Sequence, residues 1–104
     1  MEIEIKIEPH SYTLRYYCLY WRKKKRFNLF NTWNRLECVY DGVHLVNDQP
    51  VLFENFDEAC KVGEKFKNNP NLIAEHYQRE DEKYNKSLDA RNKRAKERNR
   101  TTIF

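Results

Sequence analysis

Charged and β-branched residues alternate at the start of the chain. Ile3, Ile5 and Ile7 are separated by acidic and basic residues, and Pro9 ends the run. Apolar residues in a period of two are typical of a strand that buries one face and exposes the other. A first strand is therefore predicted here, with its isoleucine side chains in the core.

A second strand is predicted from about residue 12 to residue 21. Its even-numbered positions are all apolar or aromatic, whereas its odd-numbered positions are mixed. Because the side chains of a strand point alternately to its two faces, we expect the even face, with Tyr12, Tyr16 and Tyr20, to lie in the core. The odd face would then remain available for other contacts.

The basic run at residues 22–26 is predicted to form a charged turn before a third strand over about 32–40. Turn signals follow at residues 41–42 and 47–50, where Asp, Gly, Asn and Pro are concentrated. Residues 51–53 are predicted to form a short fourth strand near a sheet edge, because a proline precedes them.

The period changes at Asn55, where a helix is predicted to begin. Asn55 and Glu58 have the spacing of a capping box, in which the first side chain accepts a backbone N–H bond and the second bonds back. Apolar or small residues then recur every three or four positions: Phe56, Ala59, Cys60, Gly63 and Phe66. Because Gly63 has no side chain, we expect the helix to approach the sheet closely there.

A second, longer helix is predicted from about residue 71 to residue 99. Asn69 suits the N-cap and Pro70 suits the first turn, where its missing N–H is not needed. One stripe, with Glu80 and Arg91 as polar gaps, is mostly apolar: Ile73, Tyr77, Tyr84, Leu88 and Ala95. Such a helix is about 43 Å long, so its distal half is expected to project, pair with another copy, lie on a partner or fray. A strand at 72–78 is the alternative for its first part.

These patterns predict an α+β fold: a three- to four-stranded, mainly antiparallel sheet with one packed helix and a long charged C-terminal helix. Residues 1–69 would form the globular domain and residues 70–104 the charged helix or tail. Although 35% of the residues are charged, the chain contains seven Tyr, six Phe and two Trp. We therefore expect a compact, aromatic-rich core and not a disordered chain.

The net charge of +4 is concentrated near the C-terminus. Residues 90–104 contain six cations and one acid, so the rest of the chain is close to neutral. Such asymmetry indicates contact with a polyanion. Cations at the end of a helix also complement its dipole, which is the alternative explanation.

The cysteines, Cys18, Cys38 and Cys60, do not predict a disulfide framework or a metal site. Their number is odd and no C-x-x-C pair occurs, whereas structural zinc sites usually contain closely spaced ligand pairs. We expect buried free thiols, no metal, no cofactor and a reducing cytoplasmic location. Neither a signal peptide nor a transmembrane segment is predicted.

Catalytic chemistry is not indicated. Asp41, His44 and Asp48 lie in one predicted loop and have side chains suited to acid–base work, but turn formation explains the aspartates equally well. With Gly42 and Gly63 as its two glycines, the chain cannot form a Gly-rich phosphate loop. We therefore expect a protein that is not an enzyme.

Two basic segments make RNA or DNA the alternative partner. The first is the run at 22–26, and the second, at 89–100, resembles the RNA-binding arm of lambda-type antiterminators. The resemblance implies an arm that folds on binding and contacts phosphates with its cations. The candidate residues are Arg22, Lys23, Lys24, Lys25, Arg26, Arg91, Lys93, Arg94, Lys96, Arg98 and Arg100.

Aromatic and arginine residues on the second and third strands predict a surface for a protein partner. If the two strands pair, one patch would contain Arg15, Tyr17, Trp21, Trp33 and Arg35. Trp, Tyr and Arg are enriched in the hot spots of protein interfaces. The same patch is also suited to stacking on nucleic-acid bases, or it could be covered by the long helix.

Three segments, at residues 30–36, 50–59 and 69–70, resemble small uncharacterised bacteriophage proteins. The join between an edge strand and a helix, F-x-x-F-[DE]-E-A, carries the resemblance. It implies a host-takeover context, since such proteins are often stoichiometric inhibitors or modifiers of host or defence machinery. We therefore expect a small, phage-encoded, non-enzymatic binding protein in the host cytoplasm, acting on a host or defence protein. A homo-oligomer through the C-terminal helix would explain the length of that helix, and no membrane partner is expected.

Overall fold

The computed structural model describes residues 2–12, 15–24 and 32–98. Within them lie β1 (Ile3–Pro9), β2 (Tyr17–Lys23), β3 (Asn34–Arg35), β4 (Glu37–Asp41), β5 (Leu45–Pro50), α1 (Phe56–Asn68) and α2 (Asn71–Arg98). The α+β class is confirmed. Lys25, Arg26 and Arg100 of the predicted basic segments lie outside the described residues, as do residues 13–14 of the predicted second strand.

The strands form two antiparallel sheets, β1–β2–β3 and β4–β5. Leu36 joins them, because its N–H donates to the carbonyl oxygen of Leu19 at 2.8 Å and its own oxygen accepts from the N–H of Val51 at 3.0 Å. The extended segment that contains β3 and β4 therefore pairs first with β2 and then crosses to β5. Leu19 and Leu36 are almost completely buried at this junction.

The second strand begins later than the sequence predicts. β2 starts at Tyr17, and Tyr12 is 89% exposed in the turn before it. The prediction that Tyr12 lies in the core is therefore wrong, and Tyr16 is only half-buried just before the strand. The apolar pattern extends N-terminally beyond the strand, because the β1–β2 ladder of the described residues ends at Pro9 opposite Tyr17.

Both faces of β2 contribute to the core, since Cys18 of the predicted core face and Leu19 of the other face are both buried. Ile5 lies opposite Trp21 and Ile7 opposite Leu19, so the odd side chains of β2 share the isoleucine face that α1 covers. Tyr20, from the predicted core face, lies instead opposite Lys6 on the other side. Register with β1 decides which face is buried, and a strand that is apolar on both faces does not reveal it alone.

Residues 47–50 form the second half of β5, although their composition predicts a turn. The turn lies at residues 42–44, and β4 and β5 flank it. Asn47, Asp48 and Gln49 are exposed, so polar residues are accommodated in this strand without being buried. The predicted fourth strand at 51–53 is reduced to an isolated bridge between Phe53 and Tyr17.

Helix α1 begins where its sequence predicts, but Phe56 of its predicted stripe is 48% exposed. The side-chain oxygen of Asn55 accepts the N–H of Asp57 at 2.8 Å, which satisfies a helix-end donor that has no partner within the helix. Ala59 and Gly63 are buried against β1 and β2. A Cβ atom at Gly63 would lie 2.9 Å from Cγ2 of Ile5, so the predicted close approach is confirmed.

Helix α2 is continuous from Asn71 to Arg98 and packs on α1, β4 and β5. The alternative of a strand at 72–78 is wrong. Ile73 is buried near the start of the helix, whereas residues 92–98 are all exposed. The radius of gyration is 18.4 Å, compared with about 13 Å for a compact domain of this length. The distal turns of α2 therefore project beyond the sheets.

Candidate functional site

Polar side chains of α2 bind backbone groups of β3 and β4 along one edge. The hydroxyl of Tyr77 donates to the carbonyl oxygen of Arg35 at 3.2 Å, and Nε2 of His76 lies 2.8 Å from the carbonyl oxygen of Glu37. Because a carbonyl oxygen only accepts hydrogen bonds, Nε2 of His76 carries the proton. These bonds hold the first turns of α2 against the start of β4.

The β4–β5 ladder has a β-bulge opposite the middle of this edge. The register shifts between Cys38 and Tyr40 because β5 has one extra residue there, which leaves Val39 of β4 without a ladder partner. Glu80 accepts the N–H of Val39 at 3.1 Å, and Nζ of Lys83 donates to the oxygen of Val39 at 3.4 Å. Two helix side chains thus satisfy both backbone groups of Val39.

Arg91 binds the β4–β5 hairpin at the turn between its two strands. Its guanidinium donates to Asp41, to the carbonyl oxygen of Gly42 at 2.7 Å and to that of Val43 at 3.5 Å. Hydrogen bonds from Arg91 and then from Ser87 hold the pKa of Asp41 below its ordinary value of 3.8. Glu80 and Arg91, which interrupt the apolar stripe of α2, are therefore among the main contacts of this helix with the sheet.

We expect the carboxyl group of Asp41 to titrate below pH 3.8 in the wild-type protein and closer to that value in Arg91→Gln. Because the folded pKa is lowered, the contact stabilises the fold above pH 3.8, and its contribution is lost as the pH falls through the folded pKa. A carboxyl-detected NMR titration of both proteins measures the difference. An unchanged midpoint in Arg91→Gln would contradict the assigned cause.

Four aromatic side chains surround an open hollow of about 500 Å³ where β2, β3 and α2 meet. We call it the aromatic hollow, and its lining residues are Tyr20, Trp21, Trp33, Asn34, Arg35, Glu37 and Tyr77. Register builds it, because Tyr20 lies opposite Arg35 and Trp21 opposite Asn34. The bond from Tyr77 to Arg35 closes its α2 side.

Two cationic side chains hold the ring of Trp33 in place. Cζ of Arg22 lies 4.1 Å, and Nζ of Lys6 4.7 Å, from the ring centroid. Arg22 is itself held by Glu4, with a 2.8 Å ion pair. Cation–π contacts of this kind contribute about 0.5–1 kcal/mol at exposed sites, so Trp33 is positioned before any partner arrives.

A smaller, apolar cavity of about 190 Å³ adjoins the hollow. It is lined by Trp21, Lys23, Pro70, Ile73, Ala74 and Tyr77. The Nε1 atom of Trp21 is buried and has no hydrogen-bond partner in the described part of the chain. Trp21 and Tyr77 thus form the wall shared by the hollow and the cavity. The Nε1–H donor of Trp21 is not used by the residues that line them.

Three of the five predicted partner-binding residues meet at the aromatic hollow: Trp21, Trp33 and Arg35. Tyr17 instead packs edge-on against Phe56, with centroids 5.4 Å apart, and Arg15 is exposed before β2. The five residues therefore do not form one patch. Sequence reasoning missed Tyr77, Tyr20, Asn34 and Glu37, because the register of β2 and the docking of α2 bring them together.

The predicted nucleic-acid-binding residues include some that pair with acidic groups of the same chain and others that are exposed. Arg22 and Lys24 pair with Glu4 and Glu2 across β1 and β2, and Arg91 binds the hairpin. Arg91, Arg94, Ala95 and Arg98 nevertheless line an open hollow of about 440 Å³ on one helix face. Lys23, Lys93 and Lys96 are exposed, with Lys93 and Lys96 on the projecting turns.

The cysteines give no sign of reactive or metal-binding chemistry in the described residues. Burial raises the pKa of Cys18 and of Cys38 above the ordinary value of 9.0, which disfavours the nucleophilic thiolate. Across residues 2–12, 15–24 and 32–98, no three His, Cys, Asp or Glu side chains gather as a metal site. In the same ranges, no helix combines the length and apolarity that crossing a bilayer requires.

Comparison of the chain with protein-family models, with curated proteins and with solved structures finds no match. Functional inference therefore rests on the geometry of the aromatic hollow and of the basic helix face.

Proposed function

We propose that this protein is a non-enzymatic binding protein that docks a protein partner in the aromatic hollow. The observation that carries the proposal is the convergence of Trp21, Trp33, Tyr20, Tyr77 and Arg35 on one open depression. Aromatic and arginine side chains that can be desolvated at the centre of an interface supply most of its binding energy.

The rim of the hollow supports recognition of a peptide or protein surface. Asn34 and Glu37 provide polar groups beside the rings, which matches an apolar interface core with a polar border. The unused Nε1–H of Trp21 would gain a bond from an acceptor that reached it. Trp33 is already held by Arg22 and Lys6, so little conformational entropy would be lost when it is covered.

The biological context belongs to the same proposal. The F-x-x-F-[DE]-E-A join at residues 53–59 and the two accompanying segments resemble small phage proteins. We therefore propose that the chain is phage-encoded and acts stoichiometrically, as an inhibitor or modifier, on a host or defence protein in the bacterial cytoplasm.

The basic face of α2 supports a second candidate, binding of RNA or DNA. Arg94 and Arg98 follow Arg91 on one face beyond the hairpin, and exposed arginines at this spacing suit successive phosphates. It ranks second because Arg22, Lys24 and Arg91 are already engaged by acidic groups of the same chain.

Trp33→Ala is expected to weaken capture of the partner by about 2 kcal/mol or more, as loss of a hot-spot residue does. The measurement is a tagged pull-down from nuclease-treated bacterial lysate, followed by titration of the captured protein. Tyr12→Ala is the matched control, because it removes an exposed aromatic residue that does not line the hollow.

Circular dichroism should show that both variants remain folded. If Trp33→Ala captures the same protein as tightly as Tyr12→Ala does, the aromatic hollow is not the docking site. If capture occurs only from lysate without nuclease, and that capture is weakened by Arg94→Gln with Arg98→Gln, the nucleic-acid candidate replaces it. That candidate also requires affinity to fall steeply between about 50 and 200 mM salt.

A further inference from the structure

The apolar cavity continues the aromatic hollow along a groove between β2 and the first turns of α2. Trp21 and Tyr77 line both depressions. In the hollow, Tyr20 of β2 lies opposite Arg35. Lys23 follows Trp21 by two residues along the strand and lines the cavity but not the hollow. The groove therefore runs from Arg35 at one end, past the shared wall, to Lys23 at the other.

The cavity has the size and the lining of a pocket for one apolar side chain. Its volume is about 190 Å³, and apolar cavities of about 150 Å³ accept a benzene-sized molecule. Among its lining residues Ile73 is buried, whereas Ala74 and Lys23 are exposed. A side chain of another molecule can therefore enter from the surface without opening the core.

The polar features around the cavity are hydrogen-bond donors or positive charges. Lys23 alone carries a charge among the described residues that line it. The buried Nε1–H of Trp21 has no acceptor in the described part of the chain, although buried polar groups are normally hydrogen-bonded. The first turn of α2 reads Asn-Leu-Ile-Ala, so it brings no acid to offset the positive end of the helix dipole. A ligand with an acceptor or a negative charge matches these features.

The acidic residues nearby lie outside the cavity. Glu37 lines the hollow, at the end of the groove that Arg35 also lines. Glu2 pairs with Lys24 at 3.6 Å, and Glu75 is exposed on α2 and is not among the lining residues. The cavity end of the groove is therefore the positive end, whereas the charges of the hollow are balanced.

We propose that the groove binds the C-terminus of a protein partner, which extends the proposed docking function and rests on it. The last residue of the partner places an aliphatic side chain in the cavity and its terminal carboxylate beside Lys23 and the first turn of α2. The residues before it lie in the aromatic hollow, against Trp33.

The spacing of the groove favours a terminal residue over an internal one. Trp21 and Lys23 are two strand residues apart, about 7 Å, so the cavity wall and the positive charge lie within the span of one ligand residue. A C-terminal residue carries an apolar side chain and a carboxylate on the same Cα atom. An internal aliphatic residue would have to bring the negative charge from a neighbouring side chain.

Two small probes test the site directly, N-acetyl-leucine and N-acetyl-leucinamide, which share the side chain and differ in the terminal charge. The indole N–H signal of Trp21 in proton–nitrogen correlation spectra, assigned with Trp33→Phe, reports binding. N-acetyl-leucine should shift this signal with a millimolar dissociation constant, as expected for a ligand of about a dozen non-hydrogen atoms. N-acetyl-leucinamide should bind about threefold more weakly, the effect of one exposed ion pair.

Three variants assign the side chain and the charge to their places. Ala74→Leu fills the cavity from its exposed rim and should abolish binding of N-acetyl-leucine. Ala90→Leu makes the same change at an exposed position of α2 outside the cavity and should bind as the wild type does. Lys23→Gln should remove the preference for the acid over the amide. Circular dichroism shows whether each variant is folded.

An unmoved Trp21 signal, equal binding of acid and amide by the wild type, or unchanged binding in folded Ala74→Leu would each overturn the proposal. Equal binding would indicate an internal aliphatic side chain as the occupant.

Capture of the partner separates this proposal from the docking function on which it rests. Both Trp33→Ala and Ala74→Leu should lose the captured protein, and so should a partner without its last residue. If only Trp33→Ala loses it, the aromatic hollow docks the partner and the assignment of the cavity is wrong. Retention in both variants contradicts both proposals.

Discussion

Replacing Gly63 with valine is expected to lower the free energy of unfolding by about 3 kcal/mol or more, the upper range for overpacking a core. Gly63 is buried where α1 crosses β1 and β2. A Cβ atom there would lie 2.9 Å from Cγ2 of Ile5, with Ile7 and Leu19 side-chain atoms at 3.8 Å. The two further methyl groups of valine would meet this wall.

The neighbouring atom cannot easily move aside. Cγ2 of Ile5 is attached directly to a branched Cβ atom, whose χ1 rotamer is restricted. The helix would have to lift from the sheet, which would open space around Leu19 at the centre of the core. Gly63→Ala should cost less, because alanine gains about 1 kcal/mol of helix propensity against its own close contact.

Urea denaturation of the wild-type protein, Gly63→Val and Glu64→Val measures the effect. Glu64 is the next residue of α1 and is exposed, so its valine variant places the same side chain in the helix without the contact with the sheet. We expect that control to lie within about 0.5 kcal/mol of the wild type. Equal losses at the two positions would show that close packing at Gly63 is not the cause.

Features with local causes could be predicted from the sequence. The cap at Asn55 and the start of α2 after Asn69 and Pro70 depend on a few adjacent residues, and both were predicted within about two residues. The strand at Ile3–Pro9 follows from alternation alone. Gly63 was predicted as a close-approach point because a glycine interrupted an otherwise regular helix stripe.

Features that depend on pairing could not be predicted in the same way. Both faces of the second-strand segment carry large apolar residues, so only its register against β1 shows that Leu19 and Trp21 face α1. Residues 47–50 have a turn composition, yet β4 provides them with a strand partner. In both cases a distant segment supplies the information that the local pattern lacks.

The candidate site follows the same division. Trp21, Trp33 and Arg35 were predicted from the concentration of aromatic and arginine residues on two neighbouring strands. Tyr77 was predicted only as a member of the mostly apolar stripe of the long helix. It reaches the aromatic hollow because α2 docks on β4, and that docking depends on polar residues that the stripe pattern treats as gaps.

Glu80→Ala is the second substitution with a large expected effect, a loss of about 1.5–3 kcal/mol in the free energy of unfolding. The carboxylate of Glu80 accepts the N–H of Val39 at 3.1 Å, and Val39 is only 6% exposed. Because Val39 has no partner in the β4–β5 ladder, no residue of β5 replaces that acceptor. Alanine would leave a buried donor unpaired.

Two further variants separate the hydrogen bond from other effects. Glu80→Gln keeps a side-chain oxygen that accepts the same N–H, so it should retain most of the stability. Glu82→Ala removes an exposed carboxylate from the same helix and should lie within about 0.5 kcal/mol of the wild type. Urea denaturation gives the three values, and equal losses in Glu80→Ala and Glu82→Ala would contradict the role of the bulge.

Hydrogen exchange locates the effect within the fold. The Val39 amide should exchange faster in Glu80→Ala than in Glu80→Gln, because only the glutamine variant keeps its acceptor. Tyr77 lies three residues before Glu80 on the same helix and closes the aromatic hollow. If the bulge contact anchors α2, partner affinity should therefore fall in Glu80→Ala, although Glu80 itself does not line the hollow. Affinity that stays unchanged while stability falls would mean that the first turns of α2 hold Tyr77 without the bulge contact.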